Sequence, residues 1–99
     1  MAVAKSTLEL LMIVVKNSNV HSKRIEGTLF LIDLDSDSMI ELNEVGSCIW
    51  ESFSQTETFD NIVKKITDEF EIEPERAKKD VHGFLKELKR CDLISFKEA

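Results

Sequence analysis

The sequence has 99 residues, 42% of them hydrophobic and 32% charged, with a formal net charge of −6. That length holds one small domain and no second core, and the balance is that of a globular chain rather than a disordered one. The acidic excess argues against a general nucleic-acid binder. Cys48 and Cys91, far apart and without suitably placed histidines, do not make a zinc spacing.

Residues 1–16 form an apolar extension. The run from Leu10 to Val15 is far shorter than the roughly 20 residues a membrane helix needs, Glu9 breaks the apolar pattern, and no small-residue cleavage site follows. The segment therefore reads as neither signal peptide nor anchor, and the expected location is the cytoplasm, where both thiols stay reduced. Leu8 to Val15 suits a helix or an added strand. Its unmatched apolar surface suggests pairing with a partner subunit, as in a homodimer, or occupation of a peptide groove.

Strand signals follow. Val20 to Ile25 is a weak strand closed by a Glu26-Gly27 turn. Thr28 to Asp33 is a short continuous apolar run, the pattern of a strand covered on both faces. Asp35 to Ser38 is a polar turn cluster. Met39 to Leu42 then alternates, with Ile40 and Leu42 on one face and Met39 and Glu41 on the other. Together these predict a three-stranded antiparallel meander.

From Asn43 the period becomes helical. Asn43 is a good N-cap for a first helix to about Phe53, its apolar face carrying Val45, Cys48, Ile49 and Phe53. Ser54 to Glu57 is a polar break. Thr58 caps a second helix bearing Phe59, Ile62, Val63, Ile66 and Phe70, and Pro74 opens a third that runs to about Cys91 and buries Ala77, Val81, Phe84, Leu85 and Leu88. Leu93 and Ile94 close the domain, and residues 96–99 form a frayed tail. The expected fold is α+β and winged-helix-like, a three-stranded antiparallel meander followed by three helices, with the domain spanning residues 17–95.

The stretch GTLFLIDLDSDSMIELNEVGSCIW resembles the PqqD-like family: Gly, apolar strand, Asp turn, short strand, then Leu-Asn and a helix ending in Ile-Trp. The likeness continues through TFDNIVKKITDEFEIEPERAKKDVHGFLKELKRCDLI, where Asp80, Val81, Phe84, Leu85 and Leu88 match the Asp-Val-x-x-Phe-Leu-x-x-Leu pattern of that family's third helix. It covers about Val15 to Ile94, and its specificity lies in the order and spacing of many weak motifs. Two departures stand out. Cys91-Asp92-Leu93 replaces the usual Gly-Leu, and the extension of about fifteen residues has no counterpart.

The resemblance implies a RiPP recognition element, a domain without catalysis or cofactor that holds the leader of a ribosomally made precursor peptide. The leader would lie as an extra strand along the third strand of the meander, beside the third helix. The implied partner is a modifying enzyme, such as a radical SAM protein or, in lasso-peptide pathways, a leader peptidase. The residues agree with that mechanism. An edge strand offers unpaired N–H and C=O groups, and pockets for alternate side chains give specificity. The candidate peptide-binding residues are Met39, Ile40, Glu41, Leu42, Asp80, Val81, Phe84 and Leu85, with Asp80 and Phe84 one turn apart on a flank of the buried stripe. Six basic residues of the third helix (Arg76, Lys78, Lys79, Lys86, Lys89 and Arg90) outnumber Glu75, Asp80 and Glu87. That excess would favour an acidic leader if it faced the groove.

Two other readings compete. Asp33, Asp35, Asp37, Ile40 and Glu44 occupy positions of an EF-hand loop, although Ser38 stands where the sharp turn needs Gly and a strand precedes the loop. A winged-helix DNA-binding protein would use the basic third helix for recognition, but Phe84 and Leu85 need burial. An enzyme is the weakest reading: the sequence has no phosphate loop and no nucleophile-base pair, and His21 and His82 read as a strand residue and an exposed helix residue. The single Trp50 reads as core.

Overall fold

The computed structural model describes residues 12–98. Among the described residues it is α+β, with two three-stranded antiparallel sheets and three helices. The first sheet is the expected meander: β2 (Val20–Ile25), β3 (Thr28–Asp33) and β4 (Ser38–Leu42), in that spatial order. Its first turn, Glu26-Gly27, holds both residues at positive φ, 52° and 86°, as a two-residue hairpin of matching twist requires. In the second turn, the Asp33 carboxylate accepts the Asp35 N–H at 3.0 Å and the Ser36 hydroxyl at 2.9 Å.

The helices are α1 (Glu44–Glu51), α2 (Phe59–Phe70) and α3 (Pro74–Arg90). Their starts follow from capping chemistry. The Asn43 side chain accepts the Gly46 N–H at 2.8 Å, the Thr58 hydroxyl accepts the Asn61 N–H at 3.2 Å, and Pro74 opens α3, where its missing N–H costs nothing. Ala77, Val81, Leu85 and Leu88 of α3 are buried as expected, whereas Phe84 is only half-buried.

The second sheet departs from expectation. Its order is β5–β1–β6, with β1 (Met12–Lys16) in the middle, β5 (Thr56–Thr58) on one side and β6 (Ile94–Glu98) on the other. Residues 12–16, read as part of an extension, are therefore built into the fold: Val14 is fully buried and lies opposite Glu57 on one neighbour and Phe96 on the other. They pair with β5 and β6 rather than filling a groove at β4. Leu8 to Leu11 lie outside the described residues. The presumed polar break contains β5, and Phe96 to Glu98 of the presumed frayed tail belong to β6. The winged-helix likeness is correspondingly loose.

The exit from α3 explains one departure from the family pattern. Asp92 takes a left-handed φ of 61°, the role a glycine usually fills. The Asp92 N–H donates to the Lys89 carbonyl and the Leu93 N–H to the Leu88 carbonyl, both at 3.0 Å, which makes a Schellman motif. The Asn17 side-chain amide donates to the Asp92 carbonyl, and buried Leu93 and Leu88 supply the apolar contact expected there.

The expectation that β3 is covered on both faces is also corrected. Leu29 and Leu31 are 2% and 0% exposed, but Phe30 and Ile32 on the opposite face remain half-exposed. The core lies on one side only, where Leu29, Leu31 and Leu42 meet Ile49, Ile62 and Leu85.

Candidate functional site

Among the described residues β4 pairs only with β3, in the register Met39↔Ile32, Ile40↔Leu31, Glu41↔Phe30 and Leu42↔Leu29. Alternate residues of an antiparallel edge strand direct their N–H and C=O groups away from the neighbour. The outer margin of β4 thus carries unpaired backbone groups along Ser38–Leu42, with no Pro or Lys to blunt it.

The candidate side chains divide by burial. Met39 is 60% exposed and Glu41 is exposed, while Ile40 is half-buried and packs on the core. Leu42, Val81 and Leu85 are 6%, 0% and 2% exposed, so they are packing residues without a surface to offer. Phe84 differs from them. It is half-buried, and its ring lies so close to Gly46 that a Cβ there would sit 2.8 Å from a ring carbon. Gly46 follows β4 by one helical turn of α1, so its missing side chain lets Phe84 of α3 pack closely against α1. The sequence marks Gly46 as helical but gives no hint of this contact.

Charge on α3 is arranged differently from what its composition suggests. Residues three and four apart share a face. Lys78, His82, Lys86 and Lys89 therefore form one flank. His82 and Lys86 of that flank border a pocket of about 260 Å³ whose apolar lining includes Met12, Phe59 and Phe96. This basic flank overlooks β1 and β6. The flank toward Gly46 carries Asp80, Phe84 and Glu87, with Asp80 held 3.9 Å from Arg76 and Glu87 paired with Arg90. The Gly46 side of α3 is an aromatic ring between two exposed ion pairs, not a basic strip.

A wide cleft of about 1200 Å³ lies where the meander meets α1 and α2. Arg24 crosses from β2 to Glu51 at 2.6 Å, and Glu44, Asp68 and Glu69 make the rim acidic. Cys48 lines this cleft. Burial pushes its thiol pKa up, with Glu69, Glu51 and Glu44 adding to the rise, so it is held as a thiol rather than a reactive thiolate. At the foot of α1, the Lys16 ammonium donates to the Trp50 carbonyl at 2.6 Å and the Phe53 carbonyl at 2.5 Å. Desolvation lowers its pKa to about 8, partly offset by Glu51.

The calcium-loop reading is not compatible with this geometry. The Asp33 carboxylate is committed to closing its own turn, Ser38–Leu42 is a strand, and Glu44 opens α1.

Several solved structures share this architecture. TbiB1 in complex with the TbiA(beta) leader peptide is 25% identical over 82% of this chain and 94% of its own, with a TM-score of 0.70. A lasso peptide synthetase B1 complexed with its leader peptide is 17% identical over 83% and 96%, with a TM-score of 0.68. The PqqD truncation of Methylobacterium extorquens PqqCD, a stand-alone RiPP recognition element, is 12% identical over 84% and 88%, with a TM-score of 0.71. A comparison with curated proteins gives no match. The family model for Coenzyme PQQ synthesis protein D (PqqD) matches residues 28–94, from the start of β3 to the first residue of β6. This chain belongs to the PqqD family.

Proposed function

We propose that this protein is a non-catalytic, cytoplasmic adaptor that captures the leader of a ribosomally made precursor peptide and presents it to a modifying enzyme. The partner enzyme would be a radical SAM protein or a leader peptidase. The observation that carries the reading is the unpaired margin of β4, with Phe84 of α3 packed on Gly46 in the helix that follows that strand. A leader added as a fourth strand gains main-chain hydrogen bonds from Met39 to Leu42, and its alternate side chains fall toward Phe84 and Asp80. Val81 and Leu85 act indirectly, by fixing α3 against the core. Membership of the PqqD family and the likeness to two leader-peptide complexes support the same reading.

The charge pattern refines the expected leader. The Gly46 side of α3 is apolar at Phe84 and charge-paired on either side of it. Specificity then rests on apolar anchors, and an acidic leader gains little, because exposed pairs of this kind contribute roughly 1 kcal/mol or less.

The test is a titration of the full chain, isotopically labelled, with a synthetic leader from a precursor encoded beside its gene. Amide shifts along Met39–Leu42 and at Phe84 are expected. N-methylating alternate leader residues should weaken binding at least about ten-fold in one of the two frames and not in the other, because only one frame faces β4. Binding that leaves Met39–Leu42 unshifted, or equal tolerance of both N-methylated frames, would overturn strand addition.

A further inference from the structure

Apart from Met39 and Glu41 of β4, the outward face of the meander is not used by the proposed leader site. Three large apolar side chains are exposed among the described residues: Leu34 at 62%, Met39 at 60% and Ile25 at 43%. Ile25 and Met39 lie in this sheet, and Leu34 directly follows its middle strand. The strand alternation places Ile25 and Met39 on the outward face with Phe30 and Ile32, and Leu34 follows β3 directly in the same phase. Phe30 and Ile32 remain half-exposed and are not packed on the core. A concentration of apolar surface on one side of a chain of net charge −6 marks an interaction surface rather than scattered exposure.

The charges on that face indicate what covers it. One cross-strand row reads Lys23, Phe30, Glu41 in direct register: a cation on one edge strand, an aromatic ring in the centre and an anion on the other edge. The next row reads His21, Ile32, Met39. Neither Lys23 nor Glu41 forms an ion pair with another described residue. Two such faces can stack about a two-fold axis that runs along the strands between them. β2 of one copy then lies over β4 of the other, so Lys23 meets Glu41 twice while Phe30 and Ile32 meet their own equivalents. An axis across the strands would instead set Lys23 on Lys23 and Glu41 on Glu41. The row is self-complementary in one orientation only.

We propose that the outward face of β2–β3–β4 is a self-association surface, taking a second copy of this chain in a face-to-face two-fold dimer. The edge of β4 stays clear of this contact, so the dimer could hold two leaders, and the proposal does not depend on leader binding. The contact is small. Three strands about 4.8 Å apart and six residues long span roughly 300 Å². That is well under the about 800 Å² per partner of a stable complex, so the dimer forms only at high concentration.

Sedimentation of the full chain over about a hundred-fold range of concentration tests this. The expected result is a mass that rises toward two chains. Lys23→Glu and Glu41→Lys should each raise the dimer Kd about ten-fold, since symmetry applies each change twice. The Lys23→Glu/Glu41→Lys double variant should return it to within about three-fold of the parent. A single-chain mass throughout the range would overturn the proposal and assign the face to a different partner. So would a double variant no better than the singles. Leader affinity of the Lys23→Glu variant, measured separately, should be unchanged, so failure of the dimer and failure of the leader reading are distinguishable.

Discussion

In the β5–β1–β6 sheet the middle strand buries Val14 completely, and the C-terminal strand is anchored by the Schellman exit from α3. In the meander the middle strand alternates, with Leu29 and Leu31 sealed against the helices and Phe30 and Ile32 half open. Both sheets have three strands and both are antiparallel. They differ in what the neighbouring elements leave uncovered. The first joins the first and last described strands side by side, and the second leaves the apolar residues Phe30 and Ile32 of its middle strand half open on one face. A domain this small can leave one face of its meander open because only the other has to be buried.

The largest expected effect pits the two faces of the meander against each other. Leu31→Ala, at a fully buried position, should cost about 2–5 kcal/mol in chemical denaturation, and Met39→Ser on the open face should stay within about 0.5 kcal/mol. Similar costs at both positions would abolish the distinction. Val14→Ala comes next, at about 2 kcal/mol for two buried methyl groups and the space they leave. A loss below about 0.5 kcal/mol would return β1 to the status of an appendage.

Asp92→Gly should stabilise by roughly 0.5–1 kcal/mol, because Gly adopts the left-handed exit without strain. No gain would mean that Asp92 holds its left-handed φ without strain. The smallest effect is on acid stability. Glu57 in β5 accepts from the Asn61 side chain at 3.1 Å and from the Thr58 N–H at 3.0 Å, with Lys65 at 3.2 Å, and its pKa is lowered chiefly by the Asn61 bond. A depressed carboxyl contributes stability that is full above its ordinary pKa and is lost as pH falls through the folded value. Glu57→Gln should therefore flatten the acid limb of a stability–pH curve and leave the alkaline limb alone.

The helices and the meander were legible because their signals are local. Asn43, Thr58 and Pro74 announce helix starts, the apolar residues of α2 and α3 recur at threes and fours, and Glu26-Gly27 is a turn by chemistry. β5 was not legible because Thr-Glu-Thr has no apolar alternation, and its pairing with β1 is imposed by tertiary context. β6 does alternate at Ile94 and Phe96, but two apolar residues running into a polar end are too short a pattern to tell from a tail. Of the candidate site, the edge strand and Phe84 could be read from order and alternation. The basic excess of α3 could not be assigned to a side, because composition ignores azimuth and the flank facing α1 is fixed by the Gly46 contact. Exposure of Phe30 and Ile32 was equally hidden, since a continuous apolar run does not say which half remains bare.

The position of Lys16 has an optical consequence. The sole indole, Trp50, is 4% exposed, and the Lys16 nitrogen lies 4.2 Å from its ring centre, at the junction of α1 with β1. Its emission is therefore sensitive to whether that amine is charged, and should change colour or yield as alkali takes the proton away near pH 8. Because the chromophore is buried beside that amine, intrinsic fluorescence reports the integrity of the junction between α1 and β1.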